Sequence, residues 1–122
     1  MLALAETSGK PVMVAEAAPQ GYDLRRLTRR FTGPLWDGTA GDRERMLSDR
    51  EIWNAWYAPL FRFLHEHRRA IRALAYINCH WDAQPMWGPP YQAGYWGDSR
   101  LETNPELARR FSLAVADWRA GN

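Results

Sequence analysis

Two short apolar runs separated by a capped amphipathic helix constrain the fold of this chain more than anything else in its sequence. The first run, Lys10–Glu16 (KPVMVAE), is bounded by Gly9 and Pro11, a pattern that predicts a strand buried on both faces. The second, Ala70–Asn78, carries Ile71, Ala73, Ala75 and Ile77 on one face and Leu74 and Tyr76 on the other. Between them Ser48 and Glu51 form a capping-box pattern, in which each satisfies an otherwise orphaned N–H of the helix start. Ile52, Trp53, Trp56, Tyr57, Leu60, Phe61 and Leu64 then recur at helical spacing, predicting a helix over Asp49–Glu66 with Trp53 and Trp56 in its core face. Pro59 lies inside it and removes a backbone donor, so a kink is expected there. A crossover of this length joins parallel strands, and right-handedly.

The remaining elements fit around that unit. Leu2–Thr7 has the residues of a helix tail, ended by Gly9. Ala17–Leu47 loses all periodicity and is expected as a long loop, with a short helix near Arg25–Arg30. A second loop runs from Ala83 to Thr103. Asn104 then caps a last helix with Pro105 in its first turn, and Leu107, Phe111, Leu113, Ala114 and Trp118 mark its buried side. Both long loops follow strands, which puts the irregular, aromatic-rich sequence at the C-terminal strand ends, where parallel α/β folds place their chemistry. Two parallel strands and their helices cannot cover both faces of a sheet. A (β/α)₈ barrel takes about 250 residues. The expectation is therefore an α/β chain forming the last two βα units of an incomplete barrel, one partial domain over residues 1–122.

Composition narrows the function. Cys79 is the single cysteine, so no disulfide framework is possible, and a small buried thiol is expected. No apolar run approaches the roughly 20 residues of a membrane helix. Met1–Glu6 lacks the basic and apolar regions of a signal peptide. Lys10 is the only lysine, and the arginines alternate with acids (Asp42, Arg43, Glu44, Arg45), which describes a solvated surface rather than a nucleic-acid face. The seven tryptophans are too many for packing alone in 122 residues. Trp53, Trp56 and Trp118 fall on helix faces, whereas Trp36, Trp81, Trp87 and Trp96 fall in loops.

Glu16 is the charged end of an apolar strand, a position that aims a carboxylate into the mouth of the fold. The same position suits a glutamate paired with an arginine or simply solvated. Beyond the other strand lie Asn78, His80, Trp81 and Asp82. His80 has the chemistry of a base, a ligand or a satisfied hydrogen-bonding group. No second His or Cys stands at ligand spacing, so no metal site is expected. Trp81 directly follows the strand, where a flat ring stacks on a sugar face or closes the end of the fold. Asp98 and Arg100, around Gly97 and Ser99, suit a loop-fixing ion pair.

Four segments in this order, Lys10–Pro19 (KPVMVAEAAP), Trp53–Tyr57 (WNAWY), Ala75–Trp81 (AYINCHW) and Trp96–Arg100 (WGDSR), resemble the C-terminal part of (β/α)₈ glycoside hydrolases, most nearly family 26 of the β-mannanase type. The resemblance implies a retaining hydrolase of polysaccharide with Glu16 as nucleophile. It implies a sugar subsite at Trp81 and no cofactor, and it gives no counterpart for His80, Asp98 or Arg100. Their places in the strand-end loops make His80, Trp96 and Trp87 further candidate substrate contacts. A retaining mechanism needs a second carboxyl about 5–5.5 Å from the first. The resemblance puts that residue on a strand missing from this chain, so the isolated chain is expected to be a truncated form of little activity, with the missing part of the barrel as a possible partner. The alternative is a non-catalytic carbohydrate-binding or interaction module that uses the loop tryptophans and leaves Glu16 incidental.

Overall fold

The computed structural model describes residues 2–30, 44–87 and 96–121. Its elements are α1 (Leu2–Ser8), β1 (Val12–Ala17), β2 (Tyr22–Asp23), β3 (Thr28–Arg30), β4 (Glu44–Met46), α2 (Asp49–Ile52), a π-helical turn (Trp53–Tyr57), α3 (Ala58–Glu66), β5 (Ile71–Tyr76) and α4 (Pro105–Ala120). Short 3₁₀ turns occupy Trp81–Ala83, Pro85–Trp87 and Leu101–Thr103.

The expected parallel pair forms, with β1 beside β5 and the helical crossover between them in sequence. Its register runs Val12↔Ile71, Met13↔Ala73, Val14↔Leu74 and Ala17↔Tyr76, with shifts after Val12 and after Val14. The first shift explains why Ile71 and Leu74 join one apolar cluster although strict alternation would separate them. The second sets three steps of β1 against two of β5, a bulge at Ala15–Glu16. Contrary to the expectation of burial on both faces, Met13 is 59% exposed.

The capping box at Ser48 is present, with Glu51 N–H donating to Ser48 Oγ and the Glu51 carboxylate accepting from Ser48 N–H at 2.8 Å. Pro59 acts differently from a simple kink. The chain widens into a π turn just ahead of it, where Ala58 N–H reaches back five residues to the Trp53 carbonyl. Widening relieves the clash between the proline ring and the preceding turn while keeping the helix continuous. Ile52, Tyr57, Phe61 and Leu64 stay on the buried side of both halves. Each such burial contributes about 1.5–3 kcal/mol.

Two clusters make the core. Phe61, Leu64, Ile71 and Trp118 join α3, β5 and α4, while Tyr22, Leu24, Ile52, Tyr57 and Leu107 lie under the strand-end loops. Rings bridge them, with Trp53 stacked between Tyr57 at 5.3 Å and Phe61 at 6.0 Å, and Phe111 against Tyr76 at 4.9 Å. Tyr76 donates to the Ser99 carbonyl at 2.7 Å, so Tyr57 is the donor in the 2.8 Å bond between the two hydroxyls. Burial pushes the Tyr57 phenol up to about 12 against that bond, and burial also raises Tyr76, with Tyr57 beside it adding to the shift. On α4 the expected buried side holds at Leu107 and Trp118, but Leu113 is 58% exposed.

Two expectations are overturned. Residues 22–30 and 44–46 belong to a three-stranded antiparallel sheet, β2–β3–β4, and contain no helix near Arg25–Arg30. Strands of two or three residues are too short to show alternation in sequence. The second correction concerns the barrel. Among the described residues the parallel sheet stops at two strands and the other sheet is antiparallel, so nothing curves toward closure. The chain is a small mixed α/β unit rather than the last two βα units of a barrel. No helix among the described residues is long and apolar enough to cross a membrane.

Candidate functional site

The segments that follow β1 and β5 interlock at the C-terminal strand ends through main-chain bonds. Gly21 N–H donates to the Trp96 carbonyl at 3.1 Å, Asp98 N–H to Tyr22 at 2.9 Å, Leu24 N–H to Asp98 at 2.9 Å and Ser99 N–H to Cys79 at 2.9 Å. Gly97 makes this approach possible. Its φ is 81°, and a Cβ placed there would lie 2.0 Å from the Tyr22 carbonyl oxygen. Ser99, fully buried, donates from Oγ to the Ile77 carbonyl at 2.7 Å and accepts from Cys79 N–H at 3.2 Å.

Asp98 and Arg100 form the expected loop-fixing pair. Arg100 donates from Nε to Oδ1 at 2.9 Å and from Nη2 to Oδ2 at 2.7 Å, and its own N–H also reaches Oδ1. Burial of Asp98 opposes its ionisation. The Arg100 side chain and N–H, with His80 facing the carboxylate, outweigh that cost and hold it below the usual carboxylate range. Asn78 fixes the same loop by donating to Glu102 at 2.7 Å and accepting from Leu101 N–H at 2.7 Å. The Asn78 bond lowers Glu102 in turn.

Glu16 sits on the β1 bulge, is exposed, and makes no hydrogen bond or ion pair with a described residue. The arginine partner considered from sequence is therefore not found among the described residues. Trp81 opens the 3₁₀ turn after β5, and its ring centre lies 6.1 Å from that of Trp96 at an interplanar angle of 38°. Sequence placed these two tryptophans fifteen positions apart. Trp87 ends the turn Pro85–Trp87, its side chain outside the described ones, and Trp36 lies outside the described residues altogether. His80 lines a cleft of about 300 Å³ with Asp23, Arg25, Asp82 and Asp98. Cys79 is half-buried and free of disulfide.

Sequence reasoning missed what Asp82 and Ser99 do. Asp82 Oδ1 accepts from Trp96 N–H at 3.3 Å and Gly97 N–H at 3.1 Å, clamping the Trp96 segment to the Trp81 turn. The only signal was slight: Asp82 directly follows Trp81, and Ser99 lies three positions after Trp96. A larger cleft, about 560 Å³, opens at the opposite end of β1 and β5. Its histidines are engaged with carboxylates, His67 to Glu6 at 3.0 Å and His65 to Asp117 at 3.2 Å, and it lies away from Glu16 and the tryptophans. Among the described residues no group of three or more His, Cys, Asp or Glu is placed to hold a metal ion.

No protein-family model matches the chain. It is similar to a protein named β-1,3-xylanase TXYA from a Vibrio species, 33% identical over 113 residues, which is 93% of this chain and 24% of that protein. It is also similar to a protein named β-1,3-xylanase from an Alcaligenes species, 33% identical over 107 residues, 88% of this chain and 22% of that protein. Both likenesses support the glycoside-hydrolase resemblance, and neither name supports the mannanase type or family 26. Over nearly all of its own length the chain is thus related to proteins named as β-1,3-xylanases, of which it spans about a quarter.

Proposed function

We propose that this chain contributes one portion of a retaining glycoside hydrolase acting on β-1,3-linked xylan, with Glu16 as the nucleophile. The observation that carries the reading is Glu16 itself, a carboxylate with no described partner on a bulge at the end of β1. Bulges beside active sites re-aim a side chain out of the ladder, and an unpaired carboxylate keeps its lone pairs for an anomeric carbon. Attack forms a covalent glycosyl ester on Glu16, and a second carboxyl protonates the leaving oxygen. That group then removes a proton from the water that hydrolyses the ester. No residue of this chain is assigned to the second role. Trp81 and Trp96 offer a paired aromatic surface to a sugar ring, His80 lines the cleft that Asp82 also lines, and the sequence position of Trp87 makes it a further candidate contact. The names of the two relatives favour xylan over mannan as substrate.

The test is a chimera in which this chain replaces the matching quarter of the Vibrio β-1,3-xylanase. Release of reducing ends from β-1,3-xylan is expected, with a loss of about 10³-fold or more on Glu16→Gln. The chain alone should turn over little. A chimera whose Glu16→Gln form stays fully active would reject the nucleophile assignment. Glycan binding by the chain with an active-site glutamate that proves dispensable would instead favour the binding-module reading.

A further inference from the structure

The hairpin between β2 and β3 is held more firmly than its length requires. Leu27 adopts φ 54°, a left-handed conformation that is disfavoured for a residue with a bulky apolar side chain. Four ties hold it there. Asp23 Oδ1 accepts from Arg26 N–H at 2.8 Å, and Leu24 N–H donates to the Asp98 carbonyl at 2.9 Å. Asn104 Nδ2 donates to the Leu24 carbonyl at 3.2 Å, and Leu47 N–H to the Leu27 carbonyl at 2.8 Å. Leu24 is fully buried beneath, so the turn cannot shift without opening the core. The result is a well-anchored turn whose Arg25 lines the 300 Å³ cleft together with His80.

Three polar groups of that cleft keep hydrogen-bonding capacity that no described residue takes up. Arg25 makes no hydrogen bond or ion pair with a described residue, the His80 ring makes no hydrogen bond with one, and Asp23 has engaged only Oδ1. The other charges there are largely spent. Glu44 accepts from Arg26 at 3.0 Å and Arg30 at 3.2 Å, and Asp98 is held by Arg100. Positive and negative groups are therefore nearly balanced, and a charged ligand would meet attraction and repulsion together. Neighbouring hydroxyls fit better, because each can donate to a carboxylate while accepting from a guanidinium or imidazole.

We propose that this cleft is a second sugar position, next to the Trp81–Trp96 pair, that holds one neutral ring by its vicinal hydroxyls through Arg25, His80 and Asp23. The proposal rests on the glycan reading above and adds the position and the ligand class. Arg25 and His80 donate to hydroxyl oxygens, and Asp23 Oδ2 accepts a hydroxyl proton.

Calorimetric titration of the full chain with xylose, with β-1,3-xylotriose and with a uronic-acid trisaccharide tests it, using Arg25→Ala and Trp81→Ala. Arg25 has no described partner, so Arg25→Ala should melt with the parent. The expected result is a loss of about five- to tenfold in xylotriose affinity on Arg25→Ala, no change for xylose, and no tighter binding of the charged trisaccharide. Xylotriose binding that Trp81→Ala removes and Arg25→Ala leaves intact would overturn the second position and keep the glycan reading. Tighter binding of the uronic trisaccharide would overturn the ligand class. A parent chain that binds none of the three sugars would reject the glycan reading and this proposal with it.

Discussion

The helical side of the molecule and the strand-end layer are held by different physics. On the helical side, Phe61, Leu64, Ile71 and Trp118 are brought together by residues that recur at helical and strand periods within single elements. Across the strand ends, the ties join residues far apart in sequence. Asp98 meets Tyr22, Ser99 meets Ile77, and Asn104 Nδ2 reaches both Leu24 and Asp49, the latter at 2.6 Å. Apolar burial is non-directional and tolerates some adjustment. Hydrogen bonds between loops are directional, and losing one leaves a buried polar group unsatisfied. The molecule therefore keeps its robust half away from its candidate site and its exacting half around it.

Substitutions sharpen that contrast. The largest effect is expected for Gly97→Ala, where a Cβ would collide with the Tyr22 backbone and Gly97 already sits at positive φ. A loss of about 4 kcal/mol or more is expected, read as early loss of hydrogen-exchange protection in residues 20–24 with α3 still protected. Simultaneous loss in α3 would mean that the two halves are a single cooperative unit. Leu64→Ala should cost about 3 kcal/mol, seen as a lower urea midpoint for far-ultraviolet and tryptophan signals alike. Asp98→Asn comes next. It weakens the Arg100 pair, and because Arg100 is one-third exposed and can rehydrate, about 2 kcal/mol is expected.

The pH dependence belongs to the strand-end layer as well. The folded state holds Asp98 below its unfolded value of about 3.9. Its contribution is therefore complete above that pH and lost as pH falls through the folded value. Thermal melts should weaken below about pH 4 in the parent, and Asp98→Asn should reduce that slope. An unchanged slope would move the acid sensitivity to other carboxylates. Smallest is Ser48→Ala, about 1 kcal/mol from loss of the capping box, with the strand-end layer unaffected in xylotriose titrations.

The legible parts were those with short-range signals. The capping box at Ser48, the helical face from Ile52 to Leu64 and the Asn104 cap follow from residues near one another in sequence, and the parallel pairing of β1 with β5 follows from the helical crossover between them. The Asp98–Arg100 pair was equally local, two residues apart. The illegible parts lacked such a signal. β2 and β3 are too short for alternation, and their pairing is specified by Asp98 and Asn104 from distant segments. Leu113 fits the apolar spacing of α4, yet no described element covers it. The barrel expectation took the stretch after β1 for loop, whereas residues 22–30 and 44–46 carry the antiparallel β2–β3–β4 sheet and, among the described residues, nothing curves toward closure.

The excess of loop tryptophans shows the same division. Their number and their position after strands were plain in the sequence, and they pointed to a glycan surface. That Trp81 and Trp96 lie beside each other was decided by Asp82 clamping the Trp96 segment and Gly97 letting it approach Tyr22. Sequence alone thus determined the helices on either side of β5, the caps at Ser48 and Asn104, the strand pair and the identity of Glu16 as the charged strand end, because these depend on local periodicity, capping and crossover length. Tertiary structure alone decided the antiparallel sheet, the bulge beneath Glu16 and the cleft between Arg25 and His80. Those depend on hydrogen bonds between segments whose separation in sequence carries no periodic trace.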